Sequence, residues 1–300
     1  MNESILEEIR GLKRSRGAVI LAHNYQRPEV QDAADFTGDS LELARKATTV
    51  DAETIVFCGV HFMAETAAVL NPGRRVLLPD PKAGCPMADM VTAEQVRTLK
   101  AAHPGAKVVC YVNSSAEVKA ESDSCCTSSN AVEVVRRFAG EDVIFVPDRH
   151  LGSFVEEKLG RKLILWEGFC PTHQRLTPED LAVAKAKHPG ATVVCHPECA
   201  RPIRELCDAV LSTGQMCAYA KESPAREFLV ATEEGLLHRL MQENPGKRFY
   251  LASSRLLYPN MKRITLEKVR DALRDGAPVV TVPDDVASRA RRAIEAMLAG

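Results

Sequence analysis

A chain of 300 residues, 45% hydrophobic and 26% charged, has the make-up of a folded protein with a substantial core rather than a disordered one, and it is long enough for one large domain or two or three small ones. Its 39 basic and 40 acidic side chains are spread evenly and leave a net charge of -1, so there is no field to hold a nucleic acid backbone or an anionic membrane. No apolar run reaches the roughly 18 residues of a membrane span and no export signal is visible; the expectation is a cytosolic protein whose ten cysteines stay reduced, as buried thiols, metal ligands or reactive groups.

The first residues, MNESILEEIRGLKRSRGAVI, read as an amphipathic helix running into a strand, and one layout then recurs three times. AVILAHNYQRPEVQDAADFTGDS from Ala18, AKVVCYVNSSAEVKAESDSCCTSS from Ala106 and ATVVCHPECARPIRELCDAVLSTG from Ala191 each give a short apolar run, a polar loop and a helical pattern. Asp35, Asp123 and Asp208 each lie 12 residues after His23, Tyr111 and His196, and Ser40, Ser128 and Thr213 each lie 17 residues after them. Two landmarks held in three copies identify an internal repeat. Each copy continues with a second strand (TIVFCGV, DVIFVPD, EFLVATE) and a third (RRVLLPD, RKLILWE, KRFYLAS), with helical patterns such as LELARKA and NAVEVVRRFAG between them. Short β-branched strands separated by helices argue for parallel sheets covered on both faces. The expected fold is α/β: three similar small domains in a pseudo-threefold arrangement around a central cavity. Residues 1–86 with part of 259–300 form the first, 87–171 the second and 172–258 the third.

The third strand of each copy runs into Cys85-Pro86, Cys170-Pro171 and Tyr258-Pro259, and each is followed by a helix: TAEQVRTLKAAHPG, TPEDLAVAKAKHPG and TLEKVRDALRDG. In parallel α/β domains ligands gather where strand ends meet helix starts, so the repeat predicts three convergent sets. These are His23, Tyr25, Tyr111, Asn113, His196 and Glu198 after the first strand; Ser40, Ser128, Ser129, Ser212 and Thr213 before a helix; and Cys85, Cys170 and Tyr258 after the third strand. Hydroxyls beside free N–H groups at helix starts cradle phosphate or carboxylate, and His, Tyr and Glu transfer protons once tuned. Each residue has an ordinary alternative: an N-cap for Ser or Thr, a satisfied or solvated group for the others. Recurrence at one register in three copies favours a shared site for a small polyanion. Cysteine ahead of a helix start favours the thiolate that iron or zinc needs; two such thiolates far apart in sequence are a weak signal by themselves, whereas three cysteines converging from three domains would hold a four-iron cluster with one iron open as a Lewis acid. Cys58, Cys110 and Cys195, in apolar strand runs, are expected to be structural.

HNYQRPEVQDAADFTGDS, GVHFMAETA, LLPDPKAGCPMAD, YVNSSAEVKA, CCTSSNAV, FVPDRHLG, FCPTH, HPEC, STGQM and PNMKRITLEK cover nearly the whole chain, and by these motifs it resembles the quinolinate synthases, iron–sulfur enzymes of NAD biosynthesis. The resemblance implies condensation of iminoaspartate with dihydroxyacetone phosphate to quinolinate, with loss of phosphate and water. It also implies a 4Fe-4S cluster acting as Lewis acid, and functional coupling to an enzyme that produces iminoaspartate. Carried over by motif, His23, Tyr25, Ser40, Tyr111, Asn113, Ser128, His173, His196, Glu198, Ser212 and Thr213 would line the site. Tyr25 and Glu198 are the candidates for proton transfer, with Tyr111 and His173 beside them; His23, His196 and Asn113 would orient carboxylates and an enol intermediate. Ser40, Ser128 and Thr213 would hold an anionic end of the substrate, phosphate or carboxylate. Cluster ligands carry over at Cys85 and Cys170 only, because the family's pattern has a cysteine before PNMK and this chain reads LLYPNMK. Tyr258 there is either a phenolate ligand or a core aromatic, and the rival third ligand is Cys126 or Cys199, each near a strand end. The alternative function is a diverged paralogue acting on another small dicarboxylate or phosphate; a metal-free binding protein is a third reading, opposed by so many proton-transfer residues.

Overall fold

The computed structural model describes residues 2–299, in which twelve strands form three four-stranded sheets, every strand pairing parallel. The first sheet contains β1 (Ala18–His23), β2 (Phe36–Gly38), β3 (Thr54–Cys58) and β4 (Arg75–Leu77) in the order β2-β1-β3-β4. The second contains β5 (Lys107–Tyr111), β6 (Ser124–Cys126), β7 (Val143–Val146) and β8 (Ile164–Leu165) in the order β6-β5-β7-β8. The third contains β9 (Thr192–Cys195), β10 (Ala209–Val210), β11 (Glu227–Ala231) and β12 (Arg248–Leu251) in the order β10-β9-β11-β12. The three small domains expected from the repeat are therefore present with one topology. Their central strands are buried along almost their whole length, β3 at every residue, because helices cover both faces of a parallel sheet.

The two landmarks of the repeat have different physical origins. Asp35, Asp123 and Asp208 are fold residues: each carboxylate accepts from the backbone N–H of the first strand of its unit, at Ile20, Val108 and Val193, over 2.7 to 2.8 Å. Each also donates its own N–H to the carbonyl of that same residue, so the aspartate closes the polar groups at the start of an incoming strand. The units meet at the residues next to the hydroxyl landmarks. Ser129 Oγ donates to Asp39 Oδ2 (2.7 Å) and lies 2.8 Å from Ser212 Oγ, which is itself 3.4 Å from Asp39 Oδ2, one residue from each unit.

The long helices after the third strands begin on the threonine that opens each of the patterns quoted for them, whereas the helix start expected directly after the Cys-Pro and Tyr-Pro pairs forms at only one of the three. A four-residue helix, Pro171–Gln174, does begin at Pro171, but after Cys85 and Tyr258 only short turns form, Ala88–Met90 and Met261–Arg263. The long helices Ala93–Ala102, Pro178–Lys187 and Leu266–Asp275 begin behind Thr92, Thr177 and Thr265, whose hydroxyls each accept from the third N–H of the helix. A capping threonine satisfies an orphan donor, which a proline cannot do.

Beyond Tyr258 the chain packs in two directions. Leu266–Asp275 lies on the N-terminal helix Asn2–Ser15, whereas the final helix Asp284–Leu298 lies on Ala116–Ala120 and β6 of the second unit. Ala290, Ala293, Ile294 and Met297 of that final helix are fully buried. Among the described residues no helix is long and apolar enough to cross a membrane, and all ten cysteines are free.

Candidate active site

The loops after the first strands carry their polar residues in pairs two apart: His23 and Tyr25 after β1, Tyr111 and Asn113 after β5, His196 and Glu198 after β9. Alternate residues leave an extended loop on one side, and all six line a cavity of about 210 Å³ where the three units meet. Ser40, Ser128, Thr213, Cys85, Cys170, His173 and Tyr258 line the same cavity. Of the residues expected there, Ser129, which lies at the junction of the units, is not on the wall, and neither is Ser212. It is a fully buried N-cap, accepting from Gln215 N in a reciprocal capping box. Cys126 and Cys199, the rival third thiols, are fully buried and off the wall.

Glu198 is the hub. Its Oε1 accepts from Tyr111 Oη at 2.6 Å, and its Oε2 lies 2.7 Å from His173 Nδ1. On the far side of the imidazole, His173 Nε2 is 2.8 Å from Thr232 Oγ1, which is 2.6 Å from Tyr25 Oη. One continuous line of hydrogen bonds thus runs Tyr111–Glu198–His173–Thr232–Tyr25. With one proton on His173, at Nδ1, the sequence of donors is Tyr25 to Thr232, Thr232 to His173 and His173 to Glu198. With both nitrogens protonated, His173 donates to Thr232 and Thr232 to Tyr25 while the bond to Glu198 keeps its direction, and that reversal is what a proton relay requires.

Burial alone would raise the Glu198 carboxyl, but His196, His173 and the Tyr111 hydroxyl hold it well below the usual carboxylate range. Burial would lower His173, yet Cys170 and Glu198 hold it well above the usual histidine value. Tyr25 and Tyr111 stay protonated, because burial first and the Glu198 charge second push both phenols far above 10. His23 and His196 stay neutral: desolvation outweighs the nearby carboxylates and lowers them to about 4 and about 3. Each accepts a backbone N–H at Nδ1, from Tyr25 (3.1 Å) and Glu198 (3.3 Å), so each presents an Nε2–H donor, which in His196 lies 3.2 Å from Ser128 Oγ. Asn113 Oδ1 is buried without a partner, an open hydrogen-bonding position of the kind a ligand fills.

The residues after the third strands line the same cavity. Cys170 Sγ is 3.2 Å from His173 Nδ1, and Cys170, His173 and Glu198 bring their ligand atoms within 4.8 Å of one another, close enough to hold one metal ion. Tyr258 Oη donates to Gly84 O at 3.0 Å, where Asn260 Nδ2 also donates, and it sits against the Cys85 thiol. Tyr258 therefore faces the cavity in the register of Cys85 and Cys170 and reaches across to the Cys85 loop.

Several supporting groups escaped the sequence reading. Thr232 and Glu233 end the string EFLVATE, and Asp148 ends DVIFVPD at the register of Glu233; the repeat marked these positions, but a strand pattern gives no reason to single out its last two residues. Glu233, fully buried, accepts from Tyr258 N (3.0 Å) and pairs with Lys262, whose ammonium also donates to Tyr25 O at 2.7 Å, tying the two tyrosine loops together. Asp148 caps Arg149–Leu159, and burial together with the Glu198 charge pushes its carboxyl up to about 8.

Three parallel α/β units closing on a buried cavity of proton-transfer groups, anion-binding hydroxyls and free thiols define a multidomain enzyme of small-anion chemistry, with its catalytic side chains drawn from every unit. The family model described as quinolinate synthetase A protein matches residues 7–299. The quinolinate synthase of Methanoregula boonei is 58% identical over 293 residues, 98% of this chain and 97% of that protein. Those of Dehalococcoides mccartyi strain CBDB1 and Geobacter metallireducens are 54% and 53% identical, each over 99% of this chain and 98% of the relative. The chain belongs to the quinolinate synthase family.

Proposed function

We propose that this cavity condenses iminoaspartate with dihydroxyacetone phosphate to form quinolinate, releasing phosphate and water. The observation that carries the reading is the hydrogen-bonded line from Tyr111 through Glu198, His173 and Thr232 to Tyr25. Eliminating water needs one group that removes a proton and another that supplies one to the departing oxygen. Glu198, held ionised, removes it; Tyr25, held protonated, supplies it; and His173 with Thr232 returns the proton between them. The Nε2–H groups of His23 and His196, with the amide of Asn113, hold carboxylate and enolate oxygens, while Ser40, Ser128 and Thr213 hold the other anionic end. Ser212 serves from behind as the cap of the Thr213 helix.

Cys85 and Cys170 are buried, free and on one cavity wall, and Tyr258 brings a phenol oxygen beside Cys85. By donor chemistry this set fits an iron–sulfur group with two sulfur ligands and one oxygen ligand. A 4Fe-4S cluster bound there would supply an open iron as a Lewis acid toward substrate oxygens. The same reading divides the chain into 1–86 with part of 259–300, 87–171 and 172–258. It puts the protein in the cytosol, where ten free thiols persist, coupled to an enzyme that supplies iminoaspartate.

Anaerobic reconstitution with iron and sulfide, followed by incubation with dihydroxyacetone phosphate and iminoaspartate generated in place, tests the proposal by chromatographic detection of quinolinate. Iron-loaded protein that yields none, and a gene that fails to restore growth to cells unable to make quinolinate, would together reject it.

A further inference from the structure

Arg175 lies on the cavity wall, one residue past the short helix Pro171–Gln174 that Cys170 opens. Its side chain is exposed whereas Thr172 and His173 beside it are buried, which puts the guanidinium at the mouth. Among the described residues it has no hydrogen bond or ion pair. That isolation is unusual here, because the inner charges are already satisfied. Asp39 accepts from Leu41 N, Glu42 N and Ser129 Oγ, and Glu198 is held by Tyr111 and His173. His23 and His196 each accept a backbone N–H at Nδ1, as only the uncharged ring can, and His173 is committed to Glu198. Of the side chains lining the cavity, Arg175 is thus the one unpaired cation among the described residues.

Resting on the reaction proposed above, the substrates and product are all small anions with two or more negative charges. They must enter a cavity whose fixed carboxylates, Asp39 and Glu198, repel them. We propose that Arg175 is the anion-capturing residue of this site, binding carboxylate or phosphate oxygens of the incoming substrates, and of quinolinate, at the cavity mouth. A guanidinium suits that task, since its planar fork takes either group through two hydrogen bonds and keeps its charge at every working pH. Its position makes it a specificity and capture group; the chemistry stays with Glu198, His173 and Tyr25.

Equilibrium titration of the iron-loaded protein with quinolinate and, separately, with inorganic phosphate tests this without turnover, comparing the unmutated protein with Arg175→Gln and Arg175→Lys. One charge-assisted contact corresponds to about a tenfold change in affinity. Arg175→Gln should weaken at least one of the two dianions by about that factor and flatten the salt dependence of its binding, and Arg175→Lys should recover part of the loss. The dianion affected identifies whether carboxylate or phosphate oxygens are captured. Melting curves should coincide, because the exposed guanidinium makes no hydrogen bond or ion pair among the described residues. In turnover, Arg175→Gln should raise KM with little change in kcat. Equal affinities and equal salt slopes in all three proteins, including failure of all three to bind either dianion, overturn the proposal, as does a fall in kcat at unchanged KM. Weakened dianion binding in a protein that makes no quinolinate would instead uphold Arg175 and reject the reaction.

Discussion

The most informative single residue is Tyr258. It shares the register of Cys85 and Cys170, faces the same cavity and keeps its proton, because burial and the neighbouring Cys85 raise its phenol far above 10. A phenol is a poorer ligand at neutral pH than a thiol, with reference values of about 10 and about 8.5, although iron draws off such protons. Tyr258→Cys should therefore give more iron and sulfide per chain after anaerobic desalting, and Tyr258→Phe less than the unmutated protein. Equal metal contents in all three would show that the residue is no part of the site. Glu198→Gln and Tyr25→Phe each break the proton line at one end and should lower kcat by about a hundredfold or more, with iron content unchanged; normal turnover in Tyr25→Phe would remove that residue from the mechanism. His23 predicts a pH effect on stability. Its folded value of about 4 lies below the 6.5 of an unfolded histidine, so the unfolded chain binds the extra proton first as pH falls. The contribution of His23 is intact above pH 6.5 and drains away between 6.5 and about 4, by an order-of-magnitude 3 kcal/mol. In urea titrations across that range, His23→Gln should show a shallower loss than the unmutated protein; identical slopes would mean that the imidazole is already charged in the fold.

At the scale of elements, the loop after β1 is held from the third unit. Gly235 approaches the Tyr25 peptide so closely that a Cβ would lie 2.7 Å from Tyr25 C and 2.8 Å from Gln26 O. Both contacts are with backbone, which cannot swing aside. Gly235→Ala should therefore displace the Tyr25 loop, with a loss of about 1–3 kcal/mol in stability and a lower kcat. A variant of normal stability and full activity would show that the loop has slack. Element types were readable from the chain because β-branched strands alternate with capped helices in a repeat. The starts of the long helices were readable too, since their patterns open on the capping Thr92, Thr177 and Thr265; the helix start expected directly after each Cys-Pro or Tyr-Pro pair formed only at Pro171.

The whole molecule is closed at two places. At the junction, Asp39, Ser129 and Ser212 join the three units through hydroxyl and carboxylate. Ser129→Ala should cost about 1–3 kcal/mol, since it removes a bond to a charged acceptor. The double variant with Ser212→Ala should cost less than the two single losses added together, because they share partners; simple additivity would indicate that the three groups do not act as one network. The second closure is the final helix, whose buried face covers the second unit and whose Arg291 donates to Val69 O of the first.

The sequence by itself determined the three-unit α/β architecture and most of the cavity wall, because both are written at fixed offsets in a repeat. Local spacing decides which residues stand at strand ends, and parallel topology sends strand ends to one place. Only the tertiary structure decided which of those residues bond to one another. Ser129 proved to be a junction and Ser212 a cap rather than a wall residue. Thr232 completed the proton line and Arg175 was left unpaired at the mouth. Such pairings join residues from Tyr25 to Thr232 and from Asp39 to Ser212, too far apart in the chain for periodicity to relate them. They depend on how three separate sheets pack together, which no local pattern encodes.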